Sequence, residues 1–202
     1  MVPHVLLDAD GVMQRVPGGW RETLARVLGD HAEDLQHVLS EIETPTLTGT
    51  GDFTAALTAE LSVRGIDTPV EELYARLWLA IEVVPDSVAL VRSLRAAGHG
   101  VHLATNQHAR RASYMKTELG YDDLFDSCFY SCDLGLAKPD VAFFAGVAES
   151  LGVPTGDVVF VDDSRTNVAA AREAGMHAEV WTVADGPAAI RSLLAACGVT
   201  LG

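Results

Sequence analysis

The chain has 202 residues, 49% of them apolar and 21% charged, which suits one core domain carrying a smaller insertion and excludes a disordered chain. Its formal net charge of −14 argues against general affinity for nucleic acid backbones. No apolar stretch reaches membrane-spanning length, and a phosphate-handling site in so acidic a chain needs a local cation such as a metal ion.

The first strand signal is Val5-Leu6-Leu7, which ends in Asp8. Over residues 15–84 no strand-like run follows. Four helical stripes take its place: Leu24, Val27 and Leu28; Leu35, Val38, Leu39 and Ile42; Phe53, Leu57 and Leu61; Leu73, Leu77, Trp78 and Ile81. Pro45, the Thr48-Gly49-Thr50-Gly51 turn and Pro69 interrupt them. Beyond, strands and helices alternate. A helix over 87–97 precedes the strand Val101-His102-Leu103-Ala104, which ends in Thr105-Asn106. A helix over 109–119 leads to the strand Cys128-Phe129-Tyr130, and Pro139 opens another helix in its first turn, running to Leu151. Val158-Val159-Phe160-Val161 ends in Asp162-Asp163, a helix covers 164–174, and a fifth strand covers 178–182. Near-continuous apolar strands separated by helices predict an α/β fold, a Rossmann-like parallel sheet covered on both faces. The expected division is a core of 1–14 and 85–202 with a helical subdomain, 15–84, inserted after the first strand.

Cys128, Cys132 and Cys197 have no paired spacing and no histidine partner at ligand distance, so neither a disulfide framework nor a zinc site is expected. Free thiols suit a reducing compartment. With no basic and apolar leader in the sequence, the expected location is the cytoplasm.

Four polar clusters fall at the carboxyl ends of strands, where an open α/β sheet places its ligands. Asp8 and Asp10 follow the first strand, with Gly11 turning the chain. Asp162 and Asp163 follow the fourth, with Asn167 one turn into the next helix. Two acid pairs at the ends of two buried strands repel unless a cation lies between them, and an oxygen-only ligand set favours Mg2+. Thr105-Asn106 open a helix, so a hydroxyl and backbone N–H groups can meet phosphate oxygens. Lys138 supplies a cation just ahead of another helix.

Taken in order, these clusters resemble the four motifs of the haloacid dehalogenase-like (HAD) hydrolase superfamily, across essentially the whole chain. The motifs are Asp8-Ala9-Asp10-Gly11-Val12, Thr105-Asn106, Lys138-Pro139 and Asp162-Asp163-Ser164 continuing to Asn167. The resemblance implies the HAD fold, with 15–84 as the helical cap of one branch of the family. It also implies that Asp8 is the nucleophile of an aspartyl-phosphate intermediate and Asp10 the general acid and base. Mg2+ is implied at the Asp8 carboxylate, the Asp10 carbonyl and one motif-four acid, with Asp163 favoured as direct ligand and Asp162 close behind. Thr105, Asn106 and Lys138 are implied to bind the phosphoryl oxygens, and Asn167 to orient an acidic neighbour.

The expected activity is Mg2+-dependent hydrolysis of small phosphomonoesters, such as sugar or other metabolite phosphates. A phosphomutase of the β-phosphoglucomutase type is the alternative among enzymes that use the same two aspartates. A 2-haloacid dehalogenase generally lacks an acid at the place of Asp10, and a phosphometabolite sensor would not need every motif intact. Gln14, Arg15 and the turn leading to Asp52 and Phe53 are candidate contacts to the leaving group. Trp20 and Trp78 are expected in the cap's own core, and His108, two residues beyond Asn106, is a candidate to line the pocket, with a structural role the expected one. The expected partner is a small phosphorylated metabolite, not nucleic acid or membrane, with the chain a monomer or homodimer.

Overall fold

The computed structural model describes residues 3–200. Strand β1 (His4–Leu7) is followed by a two-residue strand β2 (Gln14–Arg15) and four helices: α1 (Trp20–Leu28), α2 (Ala32–Glu43), α3 (Phe53–Val63) and α4 (Val70–Leu77). A second short strand β3 (Glu82–Val83) precedes α5 (Pro85–Ala96), β4 (Val101–Thr105), α6 (Ala109–Thr117), α7 (Tyr121–Leu124) and β5 (Ser127–Tyr130). The chain continues through α8 (Ser131–Leu134), α9 (Val141–Leu151), β6 (Val158–Asp162), α10 (Arg165–Glu173), β7 (His177–Val180) and α11 (Pro187–Ala196). Among the described residues no helix is long and apolar enough to cross a membrane.

Five strands form one parallel sheet in the order β5-β4-β1-β6-β7. Because successive side chains point to opposite faces, each strand feeds two cores. Val5, Leu7, Leu103 and Val161 pack with α5, α6 and α11 through Val91, Met115 and Leu194. Leu6, Ala104 and Phe160 face the other way, against Phe143 and Val147 of α9 and Val168 of α10. Both faces are buried, and this double burial produces the unbroken apolar runs in the sequence. β1 lies between β4 and β6, and the chain passes from β1 to α5 on one face of the sheet and from β6 to α10 on the other. A crevice therefore opens at the carboxyl end of β1, and Asp8 stands at its base.

Helices α1 to α4 share a third apolar cluster that includes Leu24, Leu35, Leu57, Leu73 and Trp78. Each sequence stripe supplies residues to it. The expectation that 15–84 holds no strand is corrected at its edges. Arg15 pairs with Glu82, and Gln14 with Val83, in an antiparallel ribbon where the helical segment leaves and rejoins the sheet. Two-residue strands are too short to show alternation. Pro139 is also placed differently from expectation. It precedes Asp140, whose carboxylate accepts from the Ala142 N–H and caps α9.

Candidate active site

Asp8 leaves the sheet as its backbone N–H donates to the Val161 carbonyl at 2.9 Å, which ties the end of β1 to β6. Its side chain is nearly buried against Lys138. The Lys138 ammonium donates to Asp8 Oδ1 at 2.7 Å, Asp162 Oδ2 at 2.6 Å and the Ala104 carbonyl at 2.9 Å. All three of its protons go to protein oxygens. Lys138 is thus a cation between Asp8 and Asp162 that the sequence reading, which looks to a metal between the two acid pairs, does not include. Lys138 is itself set by Asn106, whose side chain accepts from the Lys138 N–H at 2.9 Å and donates to its carbonyl at 2.7 Å.

Asp162 is fully buried and accepts from the Ser164 N–H and from Asn167 Nδ2. Its carboxylate is held on every side. Asp163, one residue on, is exposed and leans over Gly11, which has φ +80°. A Cβ on Gly11 would fall on Asp163 Oδ2, so only glycine allows this approach. Asp8, Asp162 and Asp163 each bring a carboxylate oxygen within 4.8 Å of the others. Burial raises the Asp8 carboxyl above its ordinary range; Lys138 opposes the shift and Asp162 adds to it. Burial likewise raises Asp163, with Asp162 contributing. Thr105, at the end of β4, is buried, and its Oγ1 accepts from Gln107 Nε2 at 2.9 Å.

Asp10 lies across the crevice from these groups, and four donors saturate its carboxylate. Gln14 Nε2 and one Arg111 nitrogen reach Oδ1 at 3.0 and 2.8 Å; Gln107 Nε2 and the other reach Oδ2 at 2.9 and 2.7 Å. Burial alone would raise this carboxyl, but the paired guanidinium and the two amides overcome it and hold Asp10 down to about 2. Arg111 also donates through Nε to the Trp78 carbonyl at 2.9 Å, so one buried side chain joins Asp10 to the end of the helical segment. Gln107 and Arg111 are absent from the sequence-based site. They stand four residues apart where α6 begins, just beyond Thr105. Two polar residues at one helical spacing beside the buried Ala112 and Met115 are the signal that could have marked them.

Above Asp10 and Asp163 opens a cleft of about 510 Å3, walled by Gly11 and Arg111 on the sheet side and by Trp20, Glu43 and Trp78 on the helical side. The leaving-group candidates divide. Arg15 lines the cleft and pairs with Glu82 at 2.6 Å. Gln14 does not: it is fully buried, bonded to Asp10 and, through Oε1, to the Tyr121 hydroxyl at 2.9 Å. Asp52 caps α3 by accepting from the Thr54 and Ala55 N–H groups, and Phe53 is buried behind it, so that turn does not line the cleft. Trp20 and Trp78 pack edge to face with centroids 5.2 Å apart, in the helical cluster as expected, and they also border the cleft. His108 is buried, stacked on Phe53 at 4.5 Å. Burial, with Arg111 and Arg110 nearby, pushes it down to about 3, so it is neutral.

The comparisons agree on the fold. A HAD family enzyme from Bacteroides thetaiotaomicron superposes with a TM-score of 0.79 at 19% identity, over 94% of this chain and 98% of that one. A structure of that enzyme in complex with magnesium and inorganic phosphate superposes at 0.75 and 20% identity, over 89% and 94%. In sequence, the chain is 36% identical over 95 residues to a sesquiterpene phosphatase of Aspergillus oryzae, covering 46% of this chain and 48% of that protein. It is 29% identical to a phosphoglycolate phosphatase of Rhodospirillum rubrum over 90% of this chain and 80% of that one. The chain spans about half the sesquiterpene phosphatase and as little as 12% of another curated relative. The haloacid dehalogenase-like hydrolase model matches residues 2–175, a span that includes every strand-end cluster described above. With the parallel sheet and the acidic crevice at the end of β1, that match establishes that the chain belongs to the haloacid dehalogenase-like hydrolase family.

Proposed function

We propose that the protein is a Mg2+-dependent phosphohydrolase of small phosphomonoesters acting through an aspartyl-phosphate on Asp8, with residues 15–84 serving as its cap. The observation that carries this reading is the Asp8 carboxylate. Lys138 fixes Oδ1, while Oδ2 takes no hydrogen bond among the described residues and so can serve as a nucleophile. Relatives named as phosphatases support it.

The donor set fits Mg2+. It is oxygen-only, and its three carboxylates can converge. Asp8, Asp163 and the Asp10 carbonyl are the candidate ligands. Asp162, already bonded to Lys138 and Asn167, stands behind them. When bound, the ion supplies positive charge against the phosphoryl oxygens.

Asp8 Oδ2 attacks phosphorus as the bond to the leaving oxygen breaks, giving an acyl phosphate that water then hydrolyses. The Thr105 hydroxyl and the Asn106 N–H are the candidates to steady the phosphoryl oxygens, and Lys138 would join them by giving up one of the three protein oxygens it now serves. Asp10 is ionised in this structure, which suits it to deprotonate the attacking water. To donate a proton to the leaving oxygen it must first come away from Arg111. Three free cysteines are consistent with a reducing, cytoplasmic setting.

The experiment is hydrolysis of p-nitrophenyl phosphate near neutral pH with Mg2+ and then with EDTA. Turnover that EDTA abolishes supports the proposal. Absence of turnover under both conditions counts against it.

A further inference from the structure

The cleft beyond Asp8 has a charge pattern that bears on the leaving group. Its positive groups are Arg15 and Arg111. Arg111 is committed to Asp10 through two hydrogen bonds, while Arg15 makes an exposed pair with Glu82. Its negative groups, apart from Asp10, are Asp163 and Glu43. Asp163 sits with the carboxylates at the end of the sheet. Glu43 ends α2 on the far wall, where Oε1 accepts from the Trp78 indole at 3.3 Å and Oε2 takes no hydrogen bond among the described residues. Burial raises its carboxyl, and Arg111 counters that shift. Beside Glu43 that wall carries two indoles, with Val16 and Gly19 next to them: Trp78 is buried and Trp20 half-buried, with its ring turned against that of Trp78.

A substrate with a second anionic group would meet Glu43 there and find both arginines already paired. Like charges facing each other across a partly desolvated cleft repel, and less so where solvent screens them. An uncharged leaving group with an apolar face meets no such penalty and gains contact with two indoles. Resting on the phosphohydrolase reading, we infer that this site selects phosphomonoesters of uncharged alcohols with an apolar or aromatic face, and that Glu43 excludes leaving groups bearing a carboxylate or a second phosphate.

The test uses the full chain with Mg2+. Turnover of p-nitrophenyl phosphate is measured first. Its absence would sink the phosphohydrolase reading itself, before any ratio is taken. Given turnover, kcat/KM is compared for phenyl phosphate and 4-carboxyphenyl phosphate. The expected preference is roughly ten- to a hundredfold for phenyl phosphate. Glu43→Gln should narrow it to within about threefold, and Trp20→Ala should cost phenyl phosphate about fivefold more than ethyl phosphate. Equal rates on the two aryl esters in the wild-type protein would overturn the proposal, and that comparison needs no variant to fold. So would a ratio that Glu43→Gln leaves unchanged. A preference for the carboxylate ester that disappears in Arg15→Gln would overturn it too, and would make Arg15 the group that reads the leaving group.

Discussion

Lys138→Met offers a calculable test of the buried charge network. Lys138 is almost wholly buried, as are both carboxylates that it bridges at 2.7 and 2.6 Å. Removing the ammonium leaves Asp8 and Asp162 facing each other without their shared cation. The least costly repair is for Asp8, already raised by burial, to take up a proton. Removing one partner of a buried ion pair costs about 3–5 kcal/mol. Burial already raises Asp8 to about 7 in the wild-type fold against the opposing effect of Lys138, so the variant should raise it further. The sign follows from linkage: below about pH 7 both folded proteins hold the Asp8 proton and the deficit is level, whereas above it only the variant does, so the deficit grows as pH rises past about 7 by up to about 1.36 kcal/mol per pH unit. Urea unfolding of both proteins at about pH 6 and about pH 8.5, with EDTA present, measures it. A deficit of about 4 kcal/mol corresponds to a fall in Tm of roughly 10–15 °C for a chain of this size. A deficit under about 1 kcal/mol, or one that does not grow between the two pH values, would refute the assignment of Lys138 as internal counter-ion.

Other perturbations probe neighbouring parts of the site. Gly11→Ala forces a Cβ onto Asp163 at φ +80°, so it should destabilise the fold by about 1–3 kcal/mol and raise the Mg2+ concentration for half-maximal activity at least about tenfold; unchanged metal dependence would remove Asp163 from the ligand set. His108→Phe keeps the stack on Phe53 but deletes a group whose pKa falls from 6.5 to about 3 on folding. Because the unfolded chain takes up that proton first as pH falls, wild-type stability relative to the variant should drop by about 2 kcal/mol between pH 6.5 and 5, and urea titrations that run parallel would contradict this. Asp10→Asn should slow turnover roughly 10²–10⁴-fold, with ethyl phosphate hit harder than p-nitrophenyl phosphate; equal losses would take Asp10 out of proton transfer.

The strand-end aspartates and Thr105 could be read from the sequence because each follows a doubly buried strand, and burial on both faces leaves an unmistakable apolar run; Lys138, which lies beyond α8, was legible only through the order of the four motifs. The partners of those residues could not. Lys138 and Asp8 are 130 positions apart, and nothing local says that the ammonium bridges two carboxylates rather than facing substrate. In sequence Arg111 is one of two adjacent arginines on a helix; only the folded chain turns it toward Asp10 and the Trp78 carbonyl. Glu43 reads as an ordinary helix-end acid until the helical segment folds over the crevice. The β2–β3 ribbon was missed because two residues carry no periodicity, and Gln14 was taken for a leaving-group contact because its burial comes from Tyr121, 107 positions away.

The most direct measurement traps the covalent step. The protein is mixed with p-nitrophenyl phosphate and Mg2+, quenched in acid during turnover and reduced with borohydride, which converts an acyl phosphate to an alcohol. Peptide mass spectrometry then locates the change. The expected result is homoserine in place of aspartate at position 8, and nowhere else. Turnover that leaves Asp8 unmodified, or modification at another carboxylate, would contradict the nucleophilic role of Asp8.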